Sequence, residues 1–232
     1  MRHTPKARVV IVTGGLRCGS TKLFNLLKAL LPDPEVALKD KQISINTLVA
    51  DHESAKPLLI KRHFEMPATV TPDVYGLVPV RDPGDIACSM LRYGKLNPYK
   101  KKWQDPNLIL TDVATQLHWE RQLLIRPDVT AVLYEELMHY CLSTMSGILD
   151  YIGHPADDDA IAGACAAEDP RKIQEICAGI EPGRTDYWTN RHYGHISRGL
   201  GESVTLDSEE AALREMVDNT FGKPRILHEQ AW

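Results

Sequence analysis

Residues 9–22 read VVIVTGGLRCGSTK and join a short run of β-branched residues to a glycine-rich turn and to the start of a helical pattern. Gly14, Gly15 and Gly19 let the backbone N–H groups of the turn approach an anion, because these positions carry no side chain. The N-terminus of the following helix adds the positive end of its dipole. A strand, a glycine-rich turn and a helix in this order therefore predict a binding site for a phosphate or a similar anion.

The turn departs from the Walker A loop of ATP- and GTP-binding proteins, which requires Gly-x-x-x-x-Gly-Lys-Ser/Thr. Gly14 and Gly19 have the required spacing and Thr21 is in place, but Ser20 stands where the lysine should be. A cation is supplied instead by Arg17, inside the loop. A nucleoside-triphosphate kinase or a GTPase is therefore the weaker interpretation. The remaining alternative is that the segment is a plain strand-to-helix turn that binds no ligand.

The rest of the chain repeats the alternation of strand and helix. Short β-branched runs predict strands at residues 7–13, 57–62, 74–80 and 129–134. Helical patterns that stop near Pro or Gly occupy residues 20–31, 84–93, 112–125 and 135–152, and a capping box at Asp207 and Glu210 begins a last helix. Because alternating strands and helices imply parallel pairing, we expect an α/β fold with an open parallel sheet covered by helices on both faces. Ligands bind such sheets beyond the carboxyl ends of the strands.

The composition is that of an ordinary folded protein. The chain has 232 residues, of which 43% are hydrophobic and 25% charged, and it contains no repeat, so we expect a single domain over residues 1–232. No apolar run approaches the roughly 18 residues that span a bilayer. The five cysteines show neither Cys-x-x-Cys pairs nor metal-ligand spacing. These features predict a protein of the reducing cytoplasm, with no membrane span and no bound metal.

Charge is distributed unevenly along the chain. Residues 1–130 contain 19 Lys and Arg against 13 Asp and Glu, whereas residues 131–232 contain 8 against 18. This asymmetry indicates an anionic ligand that is bound mainly by the first part of the chain. A nucleic-acid partner would usually require a much more basic domain, so we expect none.

Residues 15–21, GLRCGST, resemble the 5′-phosphosulfate loop of the sulfotransferases that use 3′-phosphoadenosine 5′-phosphosulfate (PAPS), whose fold is related to that of P-loop kinases. Arg17 stands where most members of that family have Lys, and Lys22 stands where many have an aromatic residue. Arginine keeps the charge and can bind the phosphosulfate group through two nitrogens, but it is a poor proton donor because it stays protonated. We therefore expect Arg17 to stabilise charge rather than to act as a general acid.

Residues 80–89, VRDPGDIACS, are similar to the same family's 3′-phosphate motif. Arg81 would stand at a strand end, and Ser89 would lie about two turns along the following helix, where its hydroxyl and the guanidinium can share one phosphate. The alternative is a surface arginine that pairs with Asp82 or Asp85.

Residues 60–63, IKRH, resemble the family's Lys-x-His segment, which carries the catalytic base. His63 would follow a strand at its carboxyl end, and the ordinary pKa of histidine, about 6.5, suits removal of a proton from an acceptor hydroxyl. A structural histidine is the alternative interpretation.

Two weaker matches complete the resemblance. Residues 133–137, LYEEL, are similar to a strand-to-helix junction whose tyrosine, here Tyr134, lies by the adenine; a plain core residue fits the pattern equally well. Residues 197–202, SRGLGE, resemble a late loop that closes over the 3′-phosphate, with matches at Arg198 and Gly199, although a solvated basic loop fits equally well.

The resemblance implies transfer of a sulfuryl group from PAPS to a hydroxyl of a small molecule or glycan, with release of adenosine 3′,5′-bisphosphate (PAP) and without a metal. His63 would be the catalytic base, and Arg17 would stabilise developing charge. The residues that the resemblance assigns to cofactor binding are Gly15, Arg17, Cys18, Gly19, Ser20, Thr21, Lys22, Arg81, Ser89, Tyr134, Arg198 and Gly199. A degenerate P-loop small-molecule kinase and a catalytically silent module that binds PAP or PAPS are the alternatives. Neither the acceptor nor the oligomeric state follows from the sequence.

Overall fold

The computed structural model describes residues 6–38, 43–180, 185–186, 191–192 and 206–222, and the chain divides into two compact units. The first unit contains residues 1–80 and 118–172, and the second contains residues 81–117 and 173–232. Arg198 and Gly199 lie outside the described residues. The expectation of one domain over the whole chain stays a prediction.

A five-stranded sheet forms the centre of the described part of the first unit. Its strands are Val9–Thr13 (β1), Glu35–Leu38 (β2), Leu58–Arg62 (β3), Val74–Val80 (β4) and Val129–Leu133 (β5). Their order across the sheet is β2-β3-β1-β4-β5, and every pair of neighbours is parallel. The predicted parallel α/β fold is therefore confirmed.

Helices connect the strands and continue after them. In chain order they are Ser20–Leu30 (α1), Ile45–Ala50 (α2), Pro83–Leu96 (α3), Pro106–Leu124 (α4), Tyr134–His139 (α5), Cys141–Tyr151 (α6), Asp158–Ala167 (α7), Pro170–Ala178 (α8) and Ser208–Phe221 (α9), with a 3₁₀ helix at Pro98–Gln104. Among the described residues, no helix combines the length and the apolar composition needed to cross a membrane.

The central strand β1 is covered on both faces. Alternate residues of a strand point to opposite faces of the sheet, and every side chain of β1 is buried. Val10 and Val12 pack into a core with residues of α1 and α6, whereas Val9 and Ile11 pack with residues of α2. Burial on both faces explains why this strand is a continuous apolar run rather than an alternating one.

In the second unit, α3 packs against the 3₁₀ helix and against α9. Its core consists of apolar side chains from these helices and from the first part of α4, among them Ile86, Met90, Trp103, Ile109, Leu213 and Val217. Gly94 is required at the closest approach, because a Cβ atom there would lie 2.7 Å from the carbonyl oxygen of Trp103. A short antiparallel pair, Thr185–Asp186 (β6) and Arg191–His192 (β7), also belongs to this unit.

The prediction of one continuous helix over residues 135–152 is wrong. The chain forms α5 and α6 instead, because Tyr140 leaves the helical conformation with φ −127° and ψ 41°. Neither Gly nor Pro marks this break, so the helical pattern of the sequence runs through it. The edge strand β2 was also not predicted, because it is only four residues long and begins with a glutamate.

The cysteines are not all free. Cys141 at the start of α6 and Cys165 in α7 form a disulfide, with their Cα atoms 6.1 Å apart, whereas Cys18, Cys88 and Cys177 are free and buried. Disulfides persist mainly in oxidising compartments. The predicted cytoplasmic location therefore stays a prediction, and this bond does not favour it.

Candidate functional site

The glycine-rich turn joins the carboxyl end of β1 to the N-terminus of α1. Gly19 is the N-cap of α1 with φ 94°, a left-handed conformation that favours glycine, and Arg17 in the same turn has φ 65°. Because the N-cap has no side chain, no side-chain oxygen caps the first turn of this helix. Its leading N–H groups can therefore bind an anion, as the sequence predicts.

Tyr134 lies directly against this turn. It is the first residue of α5, immediately after β5, and a Cβ atom built on Gly19 would lie 2.5 Å from Tyr134 Cδ2 and 3.0 Å from Cε2. Glycine at position 19 is thus required both by its backbone conformation and by the ring beside it. The structure therefore places Tyr134 against the turn that the sequence predicts to be the phosphosulfate loop.

Lys61 belongs to the Lys-x-His segment, but the sequence analysis assigned no role to it. It lies in β3 with only 2% of its surface exposed, and its Nζ donates a hydrogen bond to Thr21 Oγ1 at 2.5 Å. A buried ammonium group is costly unless it is paired with polar or charged groups, so this lysine is held at the first turn of α1 for a reason other than packing. The signal in the sequence is a lysine that follows three apolar residues near the carboxyl end of β3.

Cys18 is fully buried under the turn. Its thiol donates a hydrogen bond to the carbonyl oxygen of Gly15 at 2.9 Å. Burial raises the pKa of this thiol to about 12, and the carboxylate of Glu120 adds to the rise, while Lys61 acts in the opposite direction. The thiol therefore stays protonated at neutral pH and braces the loop, which excludes a thiolate nucleophile at this position.

His63 follows β3 and is partly buried. Its Nδ1 lies 2.8 Å from the carbonyl oxygen of Gly14. A carbonyl oxygen can only accept, so in the neutral ring Nδ1 carries the proton and Nε2 keeps its lone pair. This tautomer leaves Nε2 able to accept a proton, which is what a general base requires.

Lys22 and Arg17 are the other cations of this segment, and both are partly buried. Burial lowers the pKa of Lys22, while the carboxylates of Glu168 and Asp169, just after α7, act in the opposite direction. Lys22 thus has acidic neighbours of its own. Arg17 stands in the turn itself, between the exposed Leu16 and the buried Cys18.

The second unit contains the predicted 3′-phosphate motif. Arg81 directly follows β4 and is partly buried, and Ser89 lies inside α3 with 4% of its surface exposed. Pro83 is the first residue of α3, and Asp82 is its N-cap, whose side chain accepts from the N–H of Asp85 at 2.8 Å. The predicted strand-end arginine and helical serine are therefore in the expected elements.

Arg214 of α9 is a second residue that sequence reasoning missed. Its Nη2 donates to Asp82 Oδ1 at 3.0 Å, and its Nη1 donates to Asp85 Oδ1 at 2.6 Å. These two carboxylates were the candidate partners of Arg81 in the alternative interpretation. No local pattern could have identified Arg214, because it is more than a hundred residues away along the chain.

Solved structures with a similar fold include mouse sulfotransferase SULT7A1 complexed with PAP, which is 15% identical, with a TM-score of 0.60 over 92% of this chain and 83% of that one. Retinol dehydratase in complex with androsterone and the inactive cofactor PAP is also 15% identical, with a TM-score of 0.59 over 94% of this chain and 81% of that one. Retinol dehydratase with retinol and PAP gives the same identity and TM-score, over 94% and 82%. No protein-family model and no curated protein matches the sequence. The structural likeness shows that the chain has the sulfotransferase fold.

Proposed function

We propose that this protein is a sulfotransferase that moves a sulfuryl group from PAPS to a hydroxyl group and releases PAP. The observation that carries the proposal is the combination, in one unit, of a glycine-rich turn at a helix N-terminus and a histidine whose Nδ1 bonds to that turn. His63 bonds to Gly14 at the beginning of the turn, and Lys61 bonds to Thr21 at its end. The PAP-bound structures of similar fold support the choice of donor.

The turn would hold the phosphosulfate end of the donor. The backbone N–H groups of the loop, from Gly15 through Cys18 and Gly19 to Ser20 and Thr21, would surround the anion. Fixed N–H groups and cations stabilise charge that develops during the reaction without having to reorganise. Arg17 and Lys61 would supply positive charge there, with Lys22 as a further cation of the same segment.

His63 would be the catalytic base. Nε2 would take the proton of the acceptor hydroxyl while the acceptor oxygen forms a bond to sulfur, and the bond from sulfur to the bridging oxygen of PAP would break. Negative charge leaves with that bridging oxygen, where Arg17 and Lys61 would offset it. A neutral alcohol is a poor nucleophile, so the base is what makes the acceptor reactive.

Arg81 and Ser89 would hold the 3′-phosphate of the adenosine, with Arg198 and Gly199 as predicted additions from outside the described residues. A contact far from the reacting sulfur contributes by aligning the donor. We propose that residues 1–232 act together as one sulfotransferase domain. The acceptor would be a small molecule or a glycan; androsterone and retinol in the structures of similar fold support a small molecule.

Calorimetry with PAP and 5′-AMP tests the assignment of the donor. Only PAP carries the 3′-phosphate, and a hydrogen bond to a charged group contributes about 1.5–3 kcal/mol, so PAP should bind roughly ten- to a hundredfold more tightly. Arg81→Gln should remove most of that preference, and Lys95→Ala, in α3, should leave it unchanged. Equal affinity of the wild-type protein for the two nucleotides would contradict the proposal.

A kinase is distinguished by its need for Mg²⁺. Phosphoryl transfer from ATP relies on Mg²⁺ held by the P-loop Ser or Thr, whereas the hydroxyl of Thr21 here accepts from the ammonium group of Lys61. That positive charge would repel a divalent cation at the same oxygen. We expect PAP release from PAPS to survive excess EDTA, and no ADP to form from ATP and Mg²⁺. Mg²⁺-dependent ADP formation would mean that the turn belongs to a degenerate kinase.

A further inference from the structure

Arg214 makes a forked contact with the turn that follows Arg81. Its two terminal nitrogens donate to different carboxylates, Asp82 at 3.0 Å and Asp85 at 2.6 Å. The same Asp82 oxygen also accepts from the backbone N–H of Asp85 and so caps α3. One guanidinium group therefore ties together the N-cap of α3, its first turn and α9.

Gly84, in the first turn of α3, lies close to both Arg214 and Asp82. A Cβ atom at this position would lie 3.1 Å from Arg214 Cγ, 3.3 Å from its Nε and 3.1 Å from Asp82 Oδ1. The aliphatic part of Arg214 thus crosses the first turn of α3 close to Gly84, where a side chain would crowd it. Gly84 does not have a positive φ, so the close approach of Arg214, rather than the backbone conformation, favours glycine there.

The carboxylates of Asp82 and Asp85 would repel any anion bound at Arg81. Asp82 is the next residue and Asp85 lies in the following turn, so a phosphate dianion held by Arg81 would be near two negative charges. Arg214 offsets them. Burial on its own lowers the pKa of Arg214, but the carboxylates of Asp82, Asp85 and Asp218 outweigh burial and raise it, so the guanidinium stays charged.

We propose that Arg214 is a positioning residue for the 3′-phosphate site: it neutralises Asp82 and Asp85 and fixes the turn so that Arg81 can bind the phosphate. The proposal rests on the role of Arg81 in the proposed function. Arg214 does not itself touch the nucleotide.

The chain contains a matched control, Lys95, on the same pair of helices. Lys95 of α3 forms an ion pair with Glu209 at 2.6 Å and with Asp207 at 3.4 Å, both at the N-terminal end of α9. This exposed pair joins α3 to α9 without touching the turn after Arg81. Lys95→Ala therefore reports the effect of losing an ion pair between these helices and nothing else.

The test measures the ratio of the dissociation constants of 5′-AMP and PAP by calorimetry in the full chain. Arg214→Gln should weaken PAP binding about tenfold and leave 5′-AMP binding unchanged, because only PAP presents the 3′-phosphate to the unneutralised carboxylates. Lys95→Ala should leave both affinities unchanged. Adding Asp85→Asn to Arg214→Gln removes one of the two negative charges and should restore part of the PAP affinity, which a purely structural role of Arg214 would not produce.

The outcomes separate this inference from the proposed function. If the wild-type protein does not prefer PAP over 5′-AMP, the proposed function fails and this inference fails with it. If the wild-type protein prefers PAP and Arg214→Gln keeps the full preference, or loses both affinities equally, this inference alone is overturned. Should Arg214→Gln fail to fold, Arg214→Lys, whose compact ammonium group lacks the planar fork of arginine, should show a loss of the preference of about threefold, and an unchanged preference would refute the inference.

Discussion

Replacement of Gly19 by alanine tests the packing of the glycine-rich turn against Tyr134. The new Cβ atom would lie 2.5 Å from Cδ2 of the ring, at a residue whose φ is 94°. Two costs are expected in the folded state. A non-glycine residue in a left-handed conformation costs about 1–3 kcal/mol, and displacement of a packed ring costs about 1–3 kcal/mol more.

A double-mutant cycle separates the two costs. Tyr134→Ala removes the ring, so in that background only the backbone cost of Gly19→Ala remains. The free energy of unfolding should then fall by about 1–3 kcal/mol less than it does when Gly19→Ala is made in the wild-type protein. Gly147→Ala is the matched control, because Gly147 lies inside α6 and a Cβ atom there has no neighbour within 4 Å. That substitution should stabilise the protein by about 0.5–1 kcal/mol.

Equilibrium unfolding in urea gives the stability of each variant, and titration with PAP gives its affinity. Gly19→Ala should also weaken PAP binding, because moving the N-cap displaces the N–H groups of the first turn of α1. If Gly19→Ala lowers the free energy of unfolding by the same amount, within about 0.5 kcal/mol, in the wild-type protein and in Tyr134→Ala, the contact with Tyr134 is refuted. Unchanged PAP affinity would refute the role of the turn.

Three further predictions concern single side chains. His63→Asn keeps a donor for the Gly14 carbonyl but removes Nε2, so turnover should fall about 10²–10⁴-fold with PAP affinity nearly unchanged; wild-type kcat in this variant would make His63 structural. Burial lowers the pKa of His154 below the ordinary histidine value of 6.5, so the folded state favours the neutral ring, and the free energy of unfolding should fall as the pH drops below about 6.5. Urea midpoints between about pH 5 and 7 should therefore decline more in the wild-type protein than in His154→Gln, and parallel declines would count against this assignment. Thiol titration of the denatured chain should find three thiols before reduction and five after it, because Cys141 and Cys165 are joined; five before reduction would show that the bond is absent.

Local patterns were sufficient for the core of the fold. The strands β1, β3, β4 and β5 were predicted to within two residues at each end, because each is a short apolar run that the parallel sheet buries. The strand-to-helix turn could be identified for a similar reason, since closely spaced glycines before a helix have few other uses. By contrast, no Gly or Pro marks the break at Tyr140, and the edge strand β2 is too short, at four residues, for its pattern to distinguish it from a loop.

What the sequence by itself determined is therefore the set of segments and the chemistry that each one offers: glycine N–H groups in the turn, an imidazole at the end of β3, and an arginine at the end of β4. The tertiary structure decided which groups act on one another. Lys61 meets Thr21 across 40 residues of chain, and Arg214 meets Asp85 across 129. Contacts of this kind depend on where parallel strands and packed helices bring distant residues together, and no spacing in the sequence encodes them. The tautomer of His63 was likewise decided by the fold, because it is fixed by a carbonyl oxygen 49 residues earlier in the chain.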